Sequence, residues 1–217
     1  MNITDIDDKI IIRSNEQSVN FADFAKMWEN DYFKDMSILN VGYPNYITRV
    51  SEYVEEIKES IKTIIANGYA YESNGSVYFD IEKFSKSSKH VYKKLTPGGG
   101  TKEEAEEGEG KLSAGSENDK RNIGDFALWK KSKEKEPFWE SEWGRGRPGW
   151  HIECSAMCKE VFGEKLDIHC GGVDLKFPHH DNEIAQTEAI YDSHQVYYYC
   201  LTYLVGEFFP SYWTLAH

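Results

Sequence analysis

Residues 150–186 read WHIECSAMCKEVFGEKLDIHCGGVDLKFPHHDNEIAQ and differ in character from the rest of the chain, because Trp, His, Cys and Gly concentrate there. Apolar side chains recur at helical spacing in the first part of this stretch, which predicts a helix that ends at Gly163. Residues 166–170 then predict a short buried strand that ends at the pair Gly171-Gly172. Two glycines at that point let another group come close to the backbone.

The helices of this stretch carry side chains that can bind a metal ion. On the first helix, Cys154 and Cys158 are four residues apart and therefore share a face. Pro178 is typical of the first turn of a helix, and on the helix it would open His179 and Glu183 are also four apart. An imidazole, a carboxylate and the Cys154 thiolate are ligands that zinc prefers. The same spacing is equally typical of Cys and His that pack in a core, so both interpretations are open at this point.

Further groups of the same kind lie close by in the sequence and favour the zinc interpretation. They are His169, Cys170, Asp174 and His180. Imidazole, thiolate and carboxylate groups are the usual protein ligands of zinc, so their concentration near the two predicted helices raises the expectation of a metal site.

Outside this stretch the chain predicts ordinary helices and turns. Residues 2–4 predict the end of a strand, and the carboxylates of 5–8 are typical of the first turn of a helix. A strand this close to residue 1 leaves little room for sheet partners, so the chain is expected to begin in the middle of a fold. Asn74-Gly75 predicts a hairpin turn. Two stripes at helical spacing predict core packing: Phe21, Phe24, Ala25 and Trp28, and Val54, Ile57, Ile61, Ile64 and Ile65.

Composition excludes several classes of protein. The chain has 217 residues, of which 40% are hydrophobic and 29% charged, and its formal net charge is −12. It contains no run of about 18 apolar residues, so no transmembrane helix and no membrane partner are expected. An acidic start lacks the layout of a signal peptide, and four cysteines are too few for a disulfide scaffold, so a cytoplasmic protein is expected. The negative charge argues against electrostatic binding of nucleic acid over the whole surface.

Two neighbouring segments differ in charge. Residues 97–118 are rich in Gly and Glu and predict a solvated acidic loop, with an acidic interaction segment as the alternative. Residues 119–135 are basic and include Phe126 and Trp129. They are interpreted either as a solvated face over a buried aromatic pair or as a weak local contact with tRNA or another nucleic acid, since cations and aromatic rings suit phosphates and bases.

Several motifs together resemble the cysteinyl-tRNA synthetases, which are class I aminoacyl-tRNA synthetases. The motifs occur in the order of that family and are NITDIDDKI (2–10), DFALWK (125–130), GRPGWHIECSAM (146–157) and DIHCGGVDLKFPHHDNEIAQ (167–186). The stretch EGEGKLS (107–113) is more similar to the eukaryotic cytosolic members than to the bacterial ones. These motifs are long and collinear, so the resemblance is specific.

The resemblance implies an α/β fold, with a Rossmann-like catalytic domain that is incomplete in this chain and carries an inserted α+β connective peptide. It implies that cysteine and ATP, with Mg²⁺, react to cysteinyl-adenylate and that the cysteinyl group passes to tRNA(Cys) during protein synthesis. It also implies an active-site Zn²⁺ that binds the thiolate of the substrate. Serine would be excluded, since a hydroxyl is a much poorer zinc ligand than a thiolate.

The resemblance also implies roles for individual residues. Cys154, His179 and Glu183 match the zinc ligands, in agreement with the spacing argument. The residues expected at the cysteine substrate are Thr4, Trp150, His169 and His180. The residues expected at ATP, around the adenosine, are Gly171, Gly172 and Asp174.

The resemblance divides the chain into four parts. Residues 1–48 belong to the first half of the catalytic domain, 49–142 to the insertion with the loop 97–118, and 143–192 to the second half with the zinc and adenosine motifs. Residues 193–217 are expected to depart from the family.

The family's His-Ile-Gly-His-type motif, an upstream cysteine ligand and the Lys-Met-Ser-Lys-Ser-type loop have no counterpart in the chain, so the chain is expected to be an incomplete enzyme that is inactive alone. The alternatives are a non-catalytic zinc-binding fragment, a purely structural zinc domain and a cysteine-activating ligase that acts on an amino sugar.

Overall fold

The computed structural model describes residues 1–101, 104, 109, 110, 112, 117–193 and 198–202. Half of the expected acidic loop 97–118 and most of the segment 193–217 therefore lie outside the described residues. The helices and strands of the described residues are β1 (Asn2–Ile3), α1 (Asp8–Glu16), α2 (Phe21–Ile38), β2 (Thr48–Arg49), α3 (Val54–Ala66), β3 (Ala70–Ser73), β4 (Ser76–Phe79), α4 (Ile81–Lys86), β5 (Phe126–Lys131), β6 (Gly146–Pro148), α5 (Trp150–Phe162), β7 (Ile168–Gly172), α6 (Asp181–Tyr191) and β8 (Tyr198–Thr202). Within the described part of the loop, Glu109 is buried and accepts a hydrogen bond of 3.1 Å from the backbone N–H of Ala127, so the prediction of a solvated loop is wrong for this residue, which packs against β5.

The described strands form three sheets. β1 pairs with β2 and β7 pairs with β8, in both cases in parallel. Between them in sequence, β3 to β6 form an antiparallel sheet in the order β3-β4-β5-β6. The β3–β4 turn has positive φ at Asn74 (52°) and Gly75 (84°), as a tight hairpin turn requires, so the predicted hairpin is confirmed.

Local sequence signals account for the ends of several helices. Asp7 caps α1, because its side chain accepts a hydrogen bond from the backbone N–H of Lys9. Asn67 and Gly68, which has a φ of 86°, directly follow α3, and Gly163, which has a φ of 74°, directly follows α5. The predicted helices at these positions are thus confirmed.

The extended residue Phe177 is followed by helical backbone from Pro178 to His180 that leads directly into α6 at Asp181, so Pro178 opens the helix of Glu183 as predicted. One local prediction is wrong. β7 is a strand but is not buried as a whole, since Ile168 is 62% exposed. A continuous apolar run does not distinguish a covered strand from one with an open face.

The core joins the antiparallel sheet to helices α3, α5 and α6. Its fully buried members include Ile57, Ile61, Phe79, Leu128, Trp129, Ile152 and Ala189. Phe126 and Trp129 of the basic segment belong to this core, which agrees with the interpretation of a buried aromatic pair. None of the helices within the described residues combines the length and apolar composition needed to cross a bilayer.

The end of α6 gives a prediction for stability against pH. Asp192 adopts a φ of 49°, and its carboxylate is bound by Lys89, by Tyr69 Oη at 3.0 Å and by His90 Nε2 at 3.3 Å. The hydrogen bond from Lys89 lowers the pKa of Asp192 from 3.8 to about 2. A lowered pKa in the folded state adds stability above the unfolded-state pKa, and this stability is lost as the pH falls towards about 2.

We therefore expect Asp192→Asn to lower the free energy of unfolding at pH 7 by no more than about 1 kcal/mol, since the side chain is partly exposed. Asparagine has the same shape as aspartate and tolerates the left-handed backbone conformation, so this variant measures the effect of the carboxylate charge alone. Urea unfolding between pH 2 and pH 7 measures the effect. The difference from the unmodified chain should shrink below pH 4, and a difference that stays constant with pH would contradict the assignment.

Candidate metal and substrate site

A cavity of about 310 Å³ lies between α5, β7 and the start of α6, beside β1. Nine of the ten predicted site residues line this cavity: Thr4, Trp150, Cys154, His169, Gly171, Gly172, His179, His180 and Glu183. The tenth, Asp174, is exposed and does not line it. Residues that are up to 179 positions apart in sequence are therefore brought to one place by the fold.

Cys154, His179 and Glu183 form a compact set of potential metal ligands. Cys154 Sγ lies 3.7 Å from His179 Nε2, which in turn lies 3.6 Å from Glu183 Oε1. The three ligand atoms are all within 4.8 Å of one another. Sulfur, nitrogen and oxygen atoms bound to one tetrahedral zinc ion lie about 3.4–3.6 Å apart, as follows from the bond lengths of about 2.0–2.3 Å. The donor types and their spacing both fit zinc.

The second oxygen of Glu183 is held by two other histidines. His180 Nδ1 lies 2.7 Å and His169 Nε2 lies 3.3 Å from Glu183 Oε2. The two carboxylate oxygens thus face different partners, with Oε1 towards Cys154 and His179. Groups that bind the free oxygen of a ligating carboxylate fix its orientation, which raises the metal affinity of a site.

Burial and charge set the protonation of these groups. Burial on its own would raise the pKa of the Glu183 carboxyl. The neighbouring His179, His169 and His180 outweigh this effect and hold that pKa well below its usual range. Burial raises the pKa of the Cys154 thiol, and Glu183 raises it further. A negative carboxylate next to a thiol that resists ionisation without a partner is an arrangement that a divalent cation would stabilise.

Two residues at this site were not predicted. Asn2 Nδ2 donates to Cys154 Sγ at 3.1 Å, and His151 Nδ1 lies 3.0 Å from His179 Nδ1. His151 is buried and precedes Cys154 by three positions on α5, so helical spacing could have placed it on the same face. No local signal could have identified Asn2, because the contact spans 152 positions.

The glycine pair makes room for side chains of the chain itself. A Cβ atom at Gly171 would overlap the imidazole of His180, and one at Gly172 would overlap the carboxylate of Asp174. The close approach to the backbone expected from the sequence is thus confirmed for these two side chains. It also explains why the β7 backbone can lie directly against the histidines that hold Glu183.

The motifs that carried the resemblance also meet in space. Arg147 of the 146–157 motif is buried and binds Asp8 of the 2–10 motif at 2.8 Å, and Glu136 at 3.2 Å. Asp8 also accepts a hydrogen bond of 2.8 Å from the backbone N–H of Leu112. A buried ion pair requires a full set of partners, so these contacts fix α1 relative to β6 and the start of α5.

Comparison with protein families identifies the fold independently. Residues 1–205 match the family described as the class I (C) tRNA synthetase catalytic domain. The chain belongs to this family. The resemblance and the α/β fold class inferred from the sequence are therefore confirmed. The match extends past residue 192 into the segment that was expected to depart from the family.

Curated relatives in the synthetase family are cytoplasmic cysteine–tRNA ligases. That of Dictyostelium discoideum is 59% identical over 197 residues, which cover 90% of this chain and 30% of the relative. That of Gallus gallus is 52% identical over 87% of the chain and 25% of the relative. That of Homo sapiens is 54% identical over 80% of the chain and 24% of the relative. The chain thus spans 24–30% of the length of these three relatives.

Proposed function

We propose that the chain contributes the zinc- and cysteine-binding part of the catalytic domain of a cysteine–tRNA ligase, which uses ATP, with Mg²⁺, to activate cysteine for transfer to tRNA(Cys). The observation that carries the proposal is the convergence of Cys154, His179 and Glu183 at the edge of a cavity. The names and identities of the relatives support the choice of cysteine as substrate. The same names support a cytoplasmic location.

The proposed zinc site gives a physical basis for choosing cysteine over serine. A zinc ion held by Cys154, His179 and Glu183 supplies an open position that accepts a thiolate far better than a hydroxyl. An apolar pocket could not separate these two amino acids as strongly, because they differ in one atom. The Asn2 amide and the histidines at Glu183 would hold the ligands in place.

The remaining predicted residues take roles around this metal. Thr4 is buried at the cavity wall and is proposed to accept a hydrogen bond from the substrate ammonium. Trp150, whose ring centroid lies 4.3 Å from that of His179, is proposed to form a wall of the cysteine pocket. His169 and His180 are proposed to lie beside the bound cysteine.

We place the adenosine of ATP along Gly171 and Gly172, with the exposed Asp174 at a ribose hydroxyl. The chain's own groups would then position the cysteine carboxylate for in-line attack on the α-phosphorus, with pyrophosphate as the leaving group. The division of the chain at residues 48, 142 and 192 remains part of this proposal, with residues 193–205 counted with the family because the family match reaches residue 205.

Within residues 119–135, we propose that only the exposed basic side chains contact tRNA. Phe126 and Trp129 are buried and cannot stack on bases, and burial lowers the pKa of Lys130. Arg121, Lys131 and Lys135 are exposed and could bind phosphates.

The proposal is tested by loading the chain with Co²⁺, which takes the same ligands as zinc and absorbs light. We expect L-cysteine to change the visible spectrum and to bind at least about 100-fold more tightly than L-serine, since only the thiolate is a good ligand. Equal responses to the two amino acids would overturn the proposed substrate. Charging of tRNA(Cys) rather than an amino sugar, measured with the full-length enzyme, would separate the ligase from the alternative acceptor.

A further inference from the structure

Residues 89–100, named here the strap, follow α4 and contact α6 through Tyr92, Lys94 and Leu95. Asp181 and Glu188 are seven positions apart and therefore share one face of α6, and Asp192 directly follows the helix. Glu183 lies on the opposite face, towards the cavity. Contacts on the face that the strap covers can thus move the carboxylate ligand without touching it.

The strap contacts α6 both near the start and near the end of the helix. The backbone N–H of Leu95 donates to Asp181 Oδ1 at 2.8 Å, and Tyr92 Oη donates to Asn182 Oδ1 at 2.6 Å. At the other end Lys94 forms an ion pair with Glu188, which is fully buried.

His90 strengthens the attachment at the far end. It is buried between two carboxylates, with Nδ1 at 3.5 Å from Glu188 and Nε2 at 3.3 Å from Asp192. Its ring stacks on Phe84 of α4, with 4.6 Å between the centroids and an angle of 2° between the planes. The helix is therefore fixed against the strap by polar contacts to the buried Glu188 carboxylate and not by apolar packing alone.

The strap also contacts the turn that carries His179. Lys93 Nζ lies 4.3 Å from the ring centroid of Phe177, and a Cβ atom at Gly100 would lie 2.7 Å from a ring carbon of Phe177. Phe177 precedes His179 by two residues. Both ligands that come from this part of the chain, His179 and Glu183, are thus attached to segments that the strap holds.

We propose that the strap is a positioning element for the metal site, and that Tyr92 and Lys94 set the places of His179 and Glu183 relative to Cys154 on α5. The inference rests on the proposed zinc site. It assigns to the insertion a part in metal binding through residues that touch neither the metal nor the cavity. Tyr92 and Lys94 are positioning residues in this proposal.

The test measures Co²⁺ binding by the 217-residue chain, by competition with a chelator and by the absorption of the bound ion. We expect Tyr92→Phe to weaken Co²⁺ binding about tenfold and to shift the absorption, since supporting contacts of metal ligands are worth about 10- to 100-fold in affinity. Lys94→Met should act in the same direction. It removes the ion-pair partner of the fully buried Glu188 and costs more stability than Tyr92→Phe, so Co²⁺ binding by both variants is compared at a temperature at which circular dichroism shows them to be folded.

Tyr71→Phe is the matched control. Tyr71 lies on β3, and its Oη donates to the buried Asp125 at 2.6 Å, the same distance as that from Tyr92 to Asn182. It should lower the melting temperature and leave Co²⁺ binding unchanged. Equal Co²⁺ affinity for Tyr92→Phe, Lys94→Met and the unmodified chain would overturn the strap proposal alone. Absence of Co²⁺ binding to the unmodified chain would overturn the proposed metal site and the strap proposal with it.

Discussion

Replacement of Cys154 by serine is expected to weaken zinc binding by about 10²- to 10³-fold. Zinc sites in proteins bind with about 10–16 kcal/mol, which corresponds to about 2.5–4 kcal/mol for each of four ligands and therefore to about 10²- to 10³-fold in affinity. Serine keeps the size of the side chain and its place on α5, but its hydroxyl is a poor zinc ligand. Chelator competition at pH 7 measures the loss.

Cys158→Ser provides the control for this variant. Cys158 lies on the same helix, four residues further on, and lines the same cavity, but it is not part of the compact set of ligands. Zinc affinity should therefore change little. An equal loss in both variants would mean that Cys158 supplies a fourth ligand, and an unchanged affinity in both would mean that Cys154 is a buried thiol in a packed core.

Local elements could be predicted because each depends on a few neighbouring residues. The hairpin at Asn74-Gly75 follows from the backbone conformations that these two residues tolerate. The end of α3 at Asn67-Gly68, where Gly68 has a φ of 86°, and the end of α5 at Gly163 follow from the same kind of preference. The pairing of Cys154 with His179 and Glu183 could also be proposed, because helical spacing gives the face of each helix and the chemistry of the ligands suggests the rest.

The features that could not be predicted depend on contacts between residues that are far apart in sequence. The packing of Phe177, the residue before the helix of Glu183, against Gly100 of the strap is one such contact. Nothing near Tyr92 or Lys94 in sequence indicates that these side chains hold α6, as their partners lie 90 and 94 positions away. Tertiary contacts of this kind override local preference, and a single sequence does not display them.

Gly149→Ala is expected to destabilise the chain by about 3 kcal/mol or more, the upper end of what overpacking costs. A Cβ atom at this position would lie 2.8 Å from the carbonyl carbon of Ala127 on β5, and closer still to the carbonyl oxygen. Both partners are backbone, so a side chain cannot rotate away. The N–H of Gly149 also donates to the carbonyl of Leu128 at 2.9 Å, which fixes the residue against the strand.

Gly124→Ala is the control that shows whether an added methyl group at a glycine destabilises the chain even where there is room for it. The nearest side chain to a Cβ atom there is Ile81, at an ordinary contact distance of 3.7 Å, so urea unfolding should detect only a small change.

Gly149→Ala also tests how Cys154 is positioned at the metal site. α5 begins at Trp150, directly after Gly149, so relief of the collision would move the start of the helix and with it Cys154. If Gly149→Ala lowers zinc affinity at a temperature where the chain is still folded, the close contact between Gly149 and β5 determines where the thiolate ligand stands.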